Sequence, residues 1–255
     1  MSTAATAERT AMVPPSSLVQ RVRNVVRLHL ANPWTPIYLP LMILSFIFVA
    51  NYAIWQVIAT SAGQEAVGNV NNGGVGFVVI YMMVIAVQTM NSTFPFAMGY
   101  GVTRRDFYLG SATFFVLLAV GYAALLAVLG MVERATDGWG MGAQFFAPLF
   151  VGDIGIHGWF YVHLTLLLFF FFLGASTAAV YVRWRANGMY VFFGSLVIAV
   201  IGGIWLIVQT DSGGAISDFV SDAGLFGMLT WSLGLSAALA LVGYRLIRRA
   251  TPRSS

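Results

Sequence analysis

The sequence predicts an all-α, polytopic membrane protein: six transmembrane helices with both termini cytoplasmic, preceded by an amphipathic interfacial helix. Three observations carry that prediction. Hydrophobic residues make up 59% of the 255 and charged residues 9%, with a mean hydropathy of +0.82, far outside the composition of soluble domains. Six apolar segments, at 37–59, 75–98, 107–131, 159–182, 189–209 and 226–244, each come near the ~20 residues that cross a ~30 Å hydrocarbon core. The charges between those segments also segregate by side. Twelve arginines and two acids fall in the tails and the turns at 99–106 and 183–188, whereas one arginine and seven acids fall in the loops at 60–74, 132–158 and 210–225. Positive residues stay on the cytoplasmic side, which puts both tails there.

Several function classes are excluded by what the chain lacks. There is no cysteine, hence no disulfide, thiol nucleophile or thiolate metal site. All 13 basic residues are arginine, so the chain contains neither a Walker A lysine nor a Schiff-base lysine. No Asp, Glu or Arg is left for the middle of a span, which argues against a proton- or sodium-driven carrier. The net charge of +4 is accounted for by arginine on the cytoplasmic side, and no nucleic-acid partner is expected.

Taken in order, residues 1–16 are small, polar and proline-bearing and are expected to form a disordered cytoplasmic tail. In 17–32, Leu18, Val22, Val25 and Val26 fall near one helix face, with Arg21, Arg23 and Arg27 spread over the rest. Such a basic helix lies in the headgroup layer, or extends the first span into the cytosol; Pro33 and Pro36 argue for a bend between the two. The six-span domain covers 33–245 and a basic cytoplasmic tail 246–255. Trp34, Tyr38, Trp159, Tyr181, Trp184 and Tyr244 stand near span ends, as interfacial aromatics do. The loops at 60–74 and 210–225 are rich in Gly, Ser and Asn. The loop at 132–158 holds a second apolar stretch, 144–151, too short to cross, which either lies on the outer interface or covers the bundle.

Polar groups within the spans are few. Asn51, Gln56, Gln88 and Asn91 serve either as glue between helices or as the lining of a translocation path. Ser232, Ser236 and Ala240, and Gly174 with Ala178, permit close helix contact within one chain or between two. His157 and His163, with Asp153 and Glu133 nearby, lack metal-ligand spacing, and no metal site is expected; nor does a nucleophile with its base occur in any span.

The most distinctive stretch is the turn Met98, Gly99, Tyr100, Gly101, Val102, Thr103, Arg104, Arg105, Asp106 and Phe107. Two glycines end the incoming helix, and Thr103 and Asp106 have the spacing of a capping box that starts the outgoing one. Arg104 and Arg105 fix topology and meet anionic lipid, or they meet a partner. With the basic helix before the first span and the chain length near 250, this Gly-Val-Thr-Arg-Arg-Asp-Phe-Tyr turn resembles the six-span permease subunits of ABC exporters, the ABC type 2 group.

The resemblance implies two permease chains, identical or paralogous, with two ATP-binding cassette subunits on the cytoplasmic face of a bacterial plasma membrane. ATP and magnesium would sit on those partners and no cofactor on this chain. It implies that 98–107 forms a short coupling helix touching the ATPase and that 17–31 supports it. The chain would then be no enzyme itself but would move a substrate outward, an amphipathic drug, peptide or lipid suiting its aromatic and methionine content. The chain departs from many members at 210–225, which is too polar and glycine-rich for a re-entrant helical hairpin. A non-transporting membrane anchor, or a nucleotide-independent carrier or scramblase, is the competing expectation.

Overall fold

The computed structural model describes residues 17–68, 75–146 and 154–249. The tail 1–16, the part 69–74 of the loop at 60–74, the part 147–151 of the apolar stretch 144–151, Asp153 and the last six residues of the basic tail lie outside that set. All the long elements are helices: α1 Leu18–Leu30, α2 Trp34–Ala62, the short α3 Gln64–Gly68, α4 Val75–Gly99, α5 Arg104–Ala135, α6 Gly155–Gln209 and α7 Gly213–Arg248. Five of them, α2, α4, α5, α6 and α7, are long and apolar enough to cross a membrane.

Local chemistry explains most of the boundaries. Ser17 caps α1, its hydroxyl oxygen accepting the Gln20 N–H at 3.2 Å. Asn32 then accepts the Trp34 N–H at 3.2 Å and opens α2, whose first residues Trp34–Tyr38 are π-wound. Pro36 and Pro40 sit in its opening turns, where a missing N–H costs little. Gly63, at φ 90°, closes it.

Two of the five helices are broken. Within the 55 residues of α6, Arg185 stands at φ 57°, ψ −148°, and a straight helix of that length would run roughly 80 Å. The fourth and fifth expected spans therefore occupy one helix with a break between them. Every buried residue of α6 lies in 158–180, and beyond Arg185 the side chains are largely exposed.

In α7 the break is at Gly224, φ 59°, ψ −177°. The expectation of a glycine-rich loop over 210–225 is corrected here, because 213–223 is helical. After Gly214 the segment has no further glycine until Gly224, and Ile216, Phe219 and Val220 recur at helical spacing. Phe219 meets Trp231 across the break, ring centroids 6.3 Å apart.

The core lies among α4, α5 and the first half of α6, filled by Met82, Ile85, Met90, Phe114, Phe115, Leu126 and Phe171. Phe115 stacks on Phe171 at 5.3 Å. Small residues set the close approaches: a Cβ on Gly174 would overlap the Met83 carbonyl, and one on Gly130 would lie 2.8 Å from the Trp159 ring. Tyr108 donates to the Ala240 carbonyl at 2.6 Å and Ser176 to the Leu239 carbonyl at 2.6 Å, joining α5 and α6 to α7. The small-residue positions Gly174 and Ala240 thus make their contacts within the chain.

At the opposite end of α5, Glu133 is buried rather than part of a flexible acidic loop. Its carboxylate accepts the Phe145 N–H at 2.8 Å, the Phe146 N–H at 3.0 Å and the Trp139 indole N–H at 3.0 Å. Phe145 and Phe146 then pack on Phe48 at 5.3 and 5.4 Å. As far as Phe146 the second apolar stretch covers the bundle and is not helical.

Candidate functional site

The turn between α4 and α5 is built by two successive caps. Gly101 takes φ 75°, and the Gly101 and Val102 N–H groups return to the Met98 and Ala97 carbonyls, each at 3.1 Å. That is a Schellman motif, and it calls for a residue without a Cβ at 101. Thr103 is extended and its hydroxyl accepts the Asp106 N–H at 3.1 Å, which starts α5 at Arg104. Only Tyr100–Thr103 separate the helices. The separate short helix implied between the two spans is absent, since Arg104 to Phe107 form the first turn of α5 itself.

The expected capping box is half used, because the Asp106 carboxylate turns to α1. Arg21 Nε lies 2.8 Å from Asp106 Oδ2, with the Asp106 side chain 4% exposed and the Arg21 side chain 41%. Negative charge at the N-terminus of α5 is favoured by the helix dipole as well.

Further along the same two helices, His29 Nε2 lies 2.8 Å from Ser111 Oγ. Ser111 gives its own proton to the Phe107 carbonyl at 2.9 Å, so the Nε2–H of His29 is the donor and Nδ1 is bare and buried. The ring lies against Phe107 and Phe114, at 5.9 and 5.0 Å, and burial lowers its pKa from 6.5 to about 4. Between the two polar contacts Val25 is seated on Gly110, where any Cβ would overlap it.

α1 is therefore docked on α5 at three levels. Val25 and His29 form its buried stripe, while Leu18, expected on that face, is exposed. Between α1 and the turn lies a cavity of about 460 Å³ lined mainly by Val25, Leu28, Phe96, Ala97, Tyr100 and Val102, with Arg21 and Asp106 at its edge.

The residues singled out in the sequence divide accordingly. Arg21, Tyr100, Gly101, Val102, Thr103 and Asp106 come together around this cavity. Gly99, Tyr100 and Arg105 are exposed, and Tyr100 is 74% so. Arg104 is half-buried and donates to the Arg248 carbonyl at 3.4 Å, at the end of α7. Asp106 and Phe107 are buried, with Phe107 against Phe94 at 5.3 Å, and Met98 is half-buried. The surface of the turn is thus Gly99 to Arg105, without the last two residues of the expected contact run.

Arg23 and Arg27 are exposed and stand away from the ion pair. The four polar span residues do not share one environment: Gln56 and Gln88 are exposed, and Asn51 and Asn91 half-buried. Asn51 donates to the Ile47 carbonyl at 2.8 Å, Gln56 to the Tyr52 hydroxyl at 3.3 Å, and Asn91 Oδ1 is buried without a partner among the described residues. No group of three metal-ligating side chains occurs among the described residues, and His163 Nδ1 donates to the Trp159 carbonyl at 2.7 Å.

Sequence reasoning missed His29, Ser111 and Gly110. Their signal was a spacing: Arg21, Val25 and His29 recur every four residues, as do Asp106 and Gly110, so each set lies on one helix face.

The arrangement defines a multi-pass helical membrane protein with a rigid, arginine-bearing turn at one end. Comparison of the chain with protein-family models, curated proteins and solved structures finds no match.

Proposed function

We propose that this chain is the permease subunit of an ATP-driven exporter of the ABC type 2 kind. The observation supporting the reading is the docking of α1 onto the α4–α5 turn through Arg21 and Asp106. The turn has four residues, each end is capped, and α1 is clamped to its first helical turn. A push on Tyr100 or Arg105 would move α1, α4 and α5 as one body, which is what coupling to a separate motor requires.

In this reading α6 crosses the membrane twice about the Arg185 break, giving six spans, with the arginine-rich ends and both termini cytoplasmic. An ATP-binding cassette subunit, carrying ATP and magnesium, docks on the surface of Gly99 to Arg105. A second permease copy or paralogue completes the path in a bacterial plasma membrane. ATP closes the motor pair, and its differential affinity for the closed state supplies the free energy for the switch. This chain, without lysine, supplies no P-loop, and its substrate is an amphipathic drug, peptide or lipid.

The test is copurification. In R104E/R105E the chain inserts normally but no longer retains an ATP-binding subunit; normal retention would count strongly against the proposal. Substrate-stimulated ATP hydrolysis in the reconstituted wild-type complex separates a permease from a membrane anchor, which stimulates none. Transport in vesicles without nucleotide would favour a carrier or scramblase.

A further inference from the structure

A second feature at the arginine-rich end stands apart from the α1 dock. Arg183, Arg245, Arg248 and Arg249 line one cavity of about 570 Å³ with Leu246. Arg245 and Arg248 belong to the last turn of α7 and Arg249 is its C-cap, where cations complement the helix dipole. Arg183, two residues before the break in α6, comes from a different helix and lines the same space.

Among the described residues no carboxylate is paired with any of the four, and Asp106, at the start of α5, is held by Arg21. These four arginines, exposed except for the half-buried Arg183, bring like charge together around one cavity, and an anion among them would relieve the repulsion. Guanidinium is also the side chain whose fork of donors matches phosphate oxygens in pairs.

The surroundings specify which kind of phosphate. Arg183 lies over the Trp184 ring at 4.4 Å and Arg248 over the Tyr244 ring at 5.5 Å, the aromatic setting of a membrane–water boundary. From Arg185 the chain enters a helix whose side chains Tyr190 and Val191 are 76% and 72% exposed, an apolar surface beside the charged cavity. We infer that this cavity holds the phosphate of an anionic phospholipid headgroup, with the acyl chains along the exposed face of α6 beyond Arg185. The inference does not depend on an ATPase partner, only on the helices crossing a bilayer.

Native mass spectrometry of the full chain in neutral detergent, with equimolar phosphatidylglycerol and phosphatidylcholine, tests it. Phosphatidylglycerol should be retained preferentially, and R183Q and R245Q should each weaken that preference about fivefold. Equal retention of the two lipids by the wild-type chain overturns the inference, and this arm needs no variant to fold. Unchanged preference in folded R183Q and R245Q overturns it too. Displacement of the lipid by millimolar inorganic phosphate would make this a soluble-anion site, which also overturns the assignment to lipid.

Discussion

Arg21 and Asp106 stand 85 positions apart in sequence and 2.8 Å apart in space, an ion pair that joins the helix before the first span to the first turn of the third. The carboxylate is buried, so it depends on its partner. Arg21 is more exposed, which tempers the strength of the pair.

A double-mutant cycle with R21Q and D106N should therefore give a coupling of about 1.5 kcal/mol, the lower end for a charged hydrogen bond. Thermal unfolding in detergent measures it. R21Q should be the costlier single change, because it leaves an ionised Asp106 buried. Additive effects of the two substitutions would mean that the pair contributes nothing to docking.

The dock should also weaken in acid. His29 is neutral when buried, with its pKa lowered to about 4 by desolvation, while the unfolded or undocked helix has the ordinary 6.5. The undocked state therefore binds more protons between those values. Docking strength is complete above pH 6.5 and falls as pH drops toward 4, by up to about 3 kcal/mol. A V25C thiol, in a chain otherwise free of cysteine, should become accessible to labelling over that window. H29Q, which keeps a donor for Ser111 but does not titrate, should flatten the dependence.

A side chain at Gly101 should be tolerated only at a cost in backbone strain. At φ 75° an alanine costs about 1 kcal/mol, with no clash, since nothing lies within 4 Å of its Cβ position. Gly110 behaves differently: its φ is helical and its obstacle is Val25, so G110L should expel α1 and expose V25C at neutral pH. G101A should leave that thiol protected.

The two arginines of the turn should separate by role. Arg105 is exposed and R105E should leave thermal stability within about 0.5 kcal/mol while abolishing retention of the ATP-binding subunit that we propose docks on this turn. Arg104 bonds the end of α7, and R104E should lower stability measurably by comparison.

At the far end, E133A leaves two backbone N–H groups and an indole N–H without their buried acceptor, at a cost of about 3 kcal/mol. Limited proteolysis should then cut within 138–146, and E133Q, which keeps one acceptor oxygen, should be cut more slowly.

Composition and hydropathy already determine that this is an all-helical chain whose long elements suit a bilayer, because apolar length and the scarcity of charge are properties of residues taken one stretch at a time. Local codes such as Ser17, Gly63, Gly101 and Thr103 place helix ends for the same reason: each acts within a few positions of itself. The helix over 213–223 escaped that reading because flanking glycines masked a short apolar stripe.

Only the tertiary structure decided where Asp106 points, since Thr103 already supplied a local cap and the carboxylate's partner lies in another helix. Only it placed His29 on Ser111, seated Val25 on Gly110, buried Glu133 under Phe145 and Phe146, and turned the small residues Gly174 and Ala240 inward. These contacts depend on which helix faces lie against each other across large sequence separations, and no periodicity along a single helix specifies the neighbour it meets.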